Sequence, residues 1–185
     1  MKTELLCELF KTEERIKILR HIAREQTFNS VFVVEATGTS KGHVSKFLNL
    51  LARHGIIAKE GRIYRWVENA ESIQIKKMLN IDLLWQKIAL PAWADGIGIY
   101  GSVAEGRDRR ESDLDIWVLV KKYDNQTEIN AAKLERTITE ATDMEAHILL
   151  LTKDKLEELR KTDLPFYERL MKRSIPLKGE SIENR

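Results

Sequence analysis

The sequence predicts an α/β chain of the α+β kind, with a small helical unit closed by a hairpin followed by a mixed sheet flanked by helices. Three observations carry this. Val44, Phe47, Leu48 and Leu51 recur at i, i+3, i+4 and i+7, one buried helical stripe. Two apolar runs that favour strands, Gly96 to Tyr100 and Ile116 to Val120, flank a polar loop in the second half. The length of 185 residues fits two small domains or one large one.

With 43% hydrophobic and 32% charged residues, the composition is that of a soluble globular protein. No apolar run approaches the ~20 residues a membrane helix needs. Glu4 and Glu8 interrupt the opening stretch where a secretory leader needs apolar residues, so a cytoplasmic protein with no membrane partner is expected. The single cysteine, Cys7, excludes an intramolecular disulfide and a cysteine-rich zinc site, and is expected to be partly buried. Residues 1–70 hold 12 Lys/Arg against 8 Asp/Glu, whereas residues 71–185 hold 19 against 21. The basic first part hints at a polyanionic partner.

A first helix is predicted from Thr12, a capping residue followed by Glu13 and Glu14, with Ile16, Leu19, Ile22 and Ala23 at helical spacing. Asn29 and Ser30 are the next caps. Val31 to Val34 alone would favour a strand, but its continuation through Glu35-Ala36 to the turn Thr37-Gly38-Thr39 argues for a helix. A third helix starts near Ser40 and stops at Gly55. Ile56 to Ala58, a Glu60-Gly61-Arg62 turn and Ile63 to Val67 then read as a hairpin. Residues 69–90 form an amphipathic helix ended by Pro91. The domains expected are 1–68, a linking helix 69–90, and 91–185.

The chemistry sits between Gly101 and Val120. Gly101-Ser102 ends a strand, Val103-Ala104-Glu105 opens a short helix, and a polar loop from Gly106 leads to Ser112-Asp113-Leu114-Asp115. Strand side chains alternate, so Asp113 and Asp115 share a face. Two carboxylates so placed repel unless a cation lies between them, and magnesium suits hard oxygen ligands while leaving positions for phosphates. A glycine before a helix start lets a phosphate approach the backbone.

Gly101-Ser102, the small helix with Gly106, and Ser112-Asp113-x-Asp115 before an apolar strand resemble the signature of the DNA polymerase β-type nucleotidyltransferase superfamily. The short chain resembles its minimal members over roughly residues 90–180, the segments from Thr152 and from Leu164 to Gly179 included. Residues 12–67 resemble winged helix-turn-helix domains of bacterial and archaeal regulators.

The resemblance implies a fold and a reaction. A nucleoside triphosphate, expected to be ATP, binds at Gly101 and Ser102, with Arg107 and Ser112 contributing. Two Mg2+ ions are held by Asp113, Asp115 and a third carboxylate on the next strand. Glu145 is the choice for that third ligand, with Asp143 and His147 as alternatives. Such enzymes usually carry Asp there, and minimal relatives often carry a basic residue where Glu105 stands, so the expectation is either that Arg107, Arg109 or Arg110 takes over phosphate contact or that nucleotide binding is weakened. A nucleoside monophosphate is transferred to an acceptor hydroxyl and pyrophosphate leaves. The acceptor is open among protein, nucleic acid and small molecule, and family analogy favours a protein such as a toxin partner. The winged helix is expected to meet DNA through Lys41, His43 and Lys46, with Arg62 on the wing, or to dock a partner protein. The competing reading is a non-catalytic, nucleotide-sensing, DNA-binding transcriptional regulator.

Overall fold

The computed structural model describes residues 4–184. Met1, Lys2 and Thr3, which open the stretch read above for a leader, lie outside the described residues. The chain divides into two compact units, Met1–Lys76 and Lys77–Arg185.

In the first unit, α1 (Glu4–Leu9) precedes α2 (Glu13–Ile22), α3 (Ser30–Thr37) and α4 (Lys41–Arg53). The sequence reading missed α1, because its six residues offer only one apolar i, i+4 pair, Leu5 and Leu9, both buried. Cys7 on this helix is exposed, not partly buried as expected. Thr12 caps α2 by accepting from the Arg15 amide, and Asn29 caps α3 by accepting from the Phe32 amide at 2.9 Å. Val31 to Val34 is therefore helical despite its β-branched content, with Gly38 closing α3 in the left-handed conformation at φ 67°. Strands β1 (Ile57–Glu60) and β2 (Ile63–Trp66) form an antiparallel hairpin. Phe28 bridges to Tyr64 through two backbone hydrogen bonds of 2.9 and 2.8 Å, tying the hairpin to the α2–α3 connection.

The division between the units falls inside α5 (Ala70–Lys87), the helix expected as a linker. The second unit holds a four-stranded mixed sheet in the order β5-β4-β3-β6, built from β3 (Gly96–Ile99), β4 (Leu114–Leu119), β5 (Ala146–Leu151) and β6 (Ile175–Gly179). β3 is antiparallel to β4 and β6, whereas β5 runs parallel to β4. The long α7 (Asn125–Thr142) makes that crossover, its start fixed by an Asp124–Thr127 capping box. The short α6 (Gly101–Glu105) begins two residues earlier than expected. Helices α8 (Lys153–Thr162) and α9 (Leu164–Arg173) precede β6, and a short 3₁₀ turn, Ile182–Asn184, follows it.

The strand period sorts the sheet's side chains into two cores. Ile116 and Val118 of β4 join Ile97, Ile99, Val103, Leu84 and Ile138 on one side. Trp117 and Leu119 join Leu151, Leu156 and Leu170 on the other. Gly98 is required where the Trp117 ring lies over β3: a β-carbon there would come within 2.3 Å of the indole. No described helix is long and apolar enough to cross a membrane.

Candidate active site

Asp113 and Asp115 lie on the face of β4 that carries Trp117 and Leu119, at its N-terminal end. The loop before them is tightly built. The Arg109 amide donates to Ser112 Oγ at 2.8 Å and the Ser112 amide to Arg109 O at 3.0 Å, a turn that presents Asp113. The Leu114 amide donates to the Glu145 carbonyl at 2.7 Å, which locks the starts of β4 and β5 together.

Gly101 meets Asp115 directly. The Tyr100 amide donates to the Asp115 carbonyl at 3.0 Å, so the chain leaves the sheet beside that residue. Gly101 then adopts φ 69°, and a β-carbon on it would lie 2.1 Å from Asp115 Oδ2. The sequence reading assigned this glycine to phosphate approach; the structure adds that the aspartate itself needs the space. Ser102 is half-buried in α6, its carbonyl accepting from the Arg107 amide at 2.9 Å, while Arg107 is exposed.

On β5, His147 stands opposite Asp115 in the parallel register. Its Nε2 is 3.7 Å from Asp113 Oδ2 and 4.0 Å from Glu145 Oε1. Asp113, Glu145 and His147 are exposed, with potential ligand atoms within 4.8 Å of one another. Glu145 precedes β5 rather than beginning it. Asp143 closes α7 in the left-handed conformation at φ 56° and is outside that cluster.

Burial raises the Asp115 carboxyl above its ordinary range; the His147 charge opposes this and the Asp113 charge adds to it. Burial, and secondarily the Asp115 charge, push the Tyr100 hydroxyl up to about 12, so it stays a protonated donor beside the site. The donor set of carboxylates with one imidazole is chemically suited to a divalent metal.

Sequence reasoning missed two supports. Asp108 is fully buried; Asn80 Nδ2 donates to its Oδ1 at 2.8 Å and to the Val103 carbonyl at 3.0 Å, fixing the loop and α6 against α5. The only sequence signal was an asparagine within an apolar helix. Arg173, in the last turn of α9, lies with Nη1 3.1 Å from both Glu105 oxygens. Arg173 thus sets a cation against Glu105 from 68 positions away in the sequence.

A cavity of about 960 Å³ lies at the opposite end of β4 and β5, lined by Lys121, Tyr123, Glu135 and Leu150 among others. In the first unit, Lys41 and Lys46 of α4 and Arg62 of the hairpin turn are exposed. His43 is half-buried, its Nε2 shielded from solvent without a hydrogen-bond partner, and it lines a surface pocket with Arg15 and Lys46.

Residues 94–182 match the family model described as polymerase beta, nucleotidyltransferase. Among solved structures, a toxin–antitoxin complex with AMP-PNP is 24% identical, covering 58% of this chain and 75% of that one, with a TM-score of 0.37. The tri-AMPylated Shewanella oneidensis HEPN toxin in complex with MNT antitoxin is 20% identical, covering 60% and 76%, with a TM-score of 0.33. TrmBL2, an archaeal chromatin protein with a novel mode of DNA binding, is 18% identical, covering 89% and 72%, with a TM-score of 0.28. A comparison with curated proteins finds no match.

Proposed function

We propose that the chain, whose residues 94–182 match the polymerase beta nucleotidyltransferase family model, transfers a nucleoside monophosphate from ATP to an acceptor hydroxyl. The observation that carries this reading is the meeting of Gly101, Asp115, Asp113 and the His147–Glu145 pair at one end of β4 and β5. Gly101 and Ser102 lie along the triphosphate, and Arg107 contacts it from the loop. Ser112 holds the turn that aims Asp113. Asp113, Asp115 and Glu145 would hold the divalent ions, which would supply positive charge to offset the triphosphate and the departing pyrophosphate.

The acceptor oxygen forms a bond to the α-phosphorus as the bond from that phosphorus to its bridging oxygen breaks. Pyrophosphate leaves, and the hydroxyl proton passes to Glu145. Asp115 is half-buried, and the lack of a β-carbon on Gly101 leaves room for its carboxylate. Exposed Lys41 and Lys46 on α4 and Arg62 on the hairpin support a second reading for the first unit, contact with the phosphates of double-stranded DNA.

The test is incubation of the protein with α-labelled nucleoside triphosphates, magnesium and a cell extract, with protein, nucleic acid and small-molecule fractions separated afterwards. Label is expected in one fraction, and the acceptor class is read from which. Label in none, with nucleotide still bound, would establish the nucleotide-sensing regulator instead.

A further inference from the structure

The Asp113–Glu145–His147 cluster mixes two carboxylates with an imidazole, and that mixture discriminates between metals. We infer that this cluster binds a first-row transition-metal dication such as Mn2+ in preference to Mg2+. The inference shares with the proposal above the location of the site, and is independent of the transfer reaction.

Magnesium takes oxygen ligands in near-ideal octahedral geometry. An imidazole nitrogen is a poor ligand for it and a good one for the transition series, whose affinity for nitrogen rises from manganese onward. The parallel register places the His147 backbone opposite Asp115, so its imidazole starts from the end of β5 beside the carboxylates. The Leu114 amide on the Glu145 carbonyl, at 2.7 Å, fixes the same end of β5.

The spacing suits one ion. Nε2 stands 3.7 Å from Asp113 Oδ2 and 4.0 Å from Glu145 Oε1, with all three ligand atoms within 4.8 Å. Ligands with bonds of about 2.1 Å stand roughly 3 Å apart around an ion. Small rotations about exposed side chains close that gap, and the His147 and Asp113 side chains are 52% and 54% exposed. Asp115 lies at the adjacent register position, so a second ion carrying the triphosphate would share Asp113 with this one. The site thus divides into an all-oxygen half beside Gly101 and a nitrogen-containing half at His147.

Metal-stripped full-length protein without nucleotide is titrated with Mn2+, with free Mn2+ counted by electron paramagnetic resonance and Mg2+ added as competitor. One tight Mn2+ site is expected, favoured over Mg2+ by about tenfold or more. Pulsed measurements on the bound ion should show coupling to an imidazole ¹⁴N. His147→Asp should abolish that coupling and bring the two affinities together. Glu145→Gln should weaken Mn2+ binding while keeping the coupling, with circular dichroism verifying both folds. Equal affinity for the two metals, bound Mn2+ without ¹⁴N coupling, or a His147→Asp variant that keeps the preference would overturn the inference. Selective Mn2+ binding without label transfer would count against the transferase reading alone. Transfer with Mg2+ in a protein lacking the ¹⁴N coupling would count against the metal preference alone.

Discussion

Replacing Gly101 by alanine should damage the fold through two separable effects, one in the backbone and one at Asp115. The residue holds φ 69°, a conformation costing a residue with a β-carbon roughly 1–2 kcal/mol. The added carbon would also sit 2.1 Å from Asp115 Oδ2 and 3.1 Å from its Cγ, well inside the ~3.5 Å at which nonbonded atoms meet. The half-buried carboxylate must swing aside, and overpacking of this kind costs about 1–3 kcal/mol. Together the loss is about 2–5 kcal/mol, or a fall in Tm of roughly 8–20 °C at about 4 °C per kcal/mol. A double-mutant cycle separates the two effects by calorimetry on metal-free protein. In an Asp115→Ala background only the β-carbon of residue 115 remains, at an ordinary 3.4 Å. There Gly101→Ala should cost only the backbone share, about 1–2 kcal/mol. An equal cost in both backgrounds would refute the claim that Gly101 is kept small by Asp115.

Asp113→Asn and Asp115→Asn should each abolish nucleotidyl transfer with the fold retained, and activity within about tenfold of wild type, a change of ~1.4 kcal/mol, would remove both from the machinery. Asp124 should give a pH signature: Lys122, and then the Thr127 amide, hold its carboxyl well below the ordinary value of 3.8. Its stabilising contribution is therefore present above about pH 4 and lost as pH falls through the folded value. Asp124→Asn keeps the cap but not the ion pair, so its Tm should lie below wild type at pH 7, the gap closing in acid. The paired change Lys41→Ala/Lys46→Ala should lower the salt slope of log DNA affinity by roughly two, one per lost phosphate contact; binding that ignores both salt and substitution would favour protein docking.

Much of the site was legible because strand periodicity is rigid. Once Ile116 to Val120 reads as a strand, Asp113 and Asp115 must share a face, and Glu145 and His147 likewise. What periodicity leaves open is register. Which β5 residue stands opposite Asp115 depends on how two strands slide past each other, and the structure puts His147 there. The helices with strong caps were also readable, even α3 against its β-branched content, because Asn29 and Gly38 mark its ends. The supports were not readable. Arg173 reaches Glu105 across 68 residues, and Asn80 reaches Asp108 across 28; neither pair has a local pattern. The same holds for α1, too short to show a period.

The borders of the four-stranded sheet have a consequence for how the protein behaves in concentrated solution. On β5 the outward amides of Ala146 and Ile148 are spoken for, donating to Thr139 Oγ1 at 3.0 Å and Glu135 Oε1 at 2.7 Å, side chains one turn apart on α7. At the far border, β6 carries Pro176, which has no amide proton to offer. A neighbouring strand seeking to extend the sheet meets two satisfied amides at one side and a missing donor at the other. The helix that connects β4 to β5 thus also occupies two of the donors that an added strand would need. Substitution of Glu135 or Thr139 would free those amides and should show as turbidity and loss of soluble yield at high concentration.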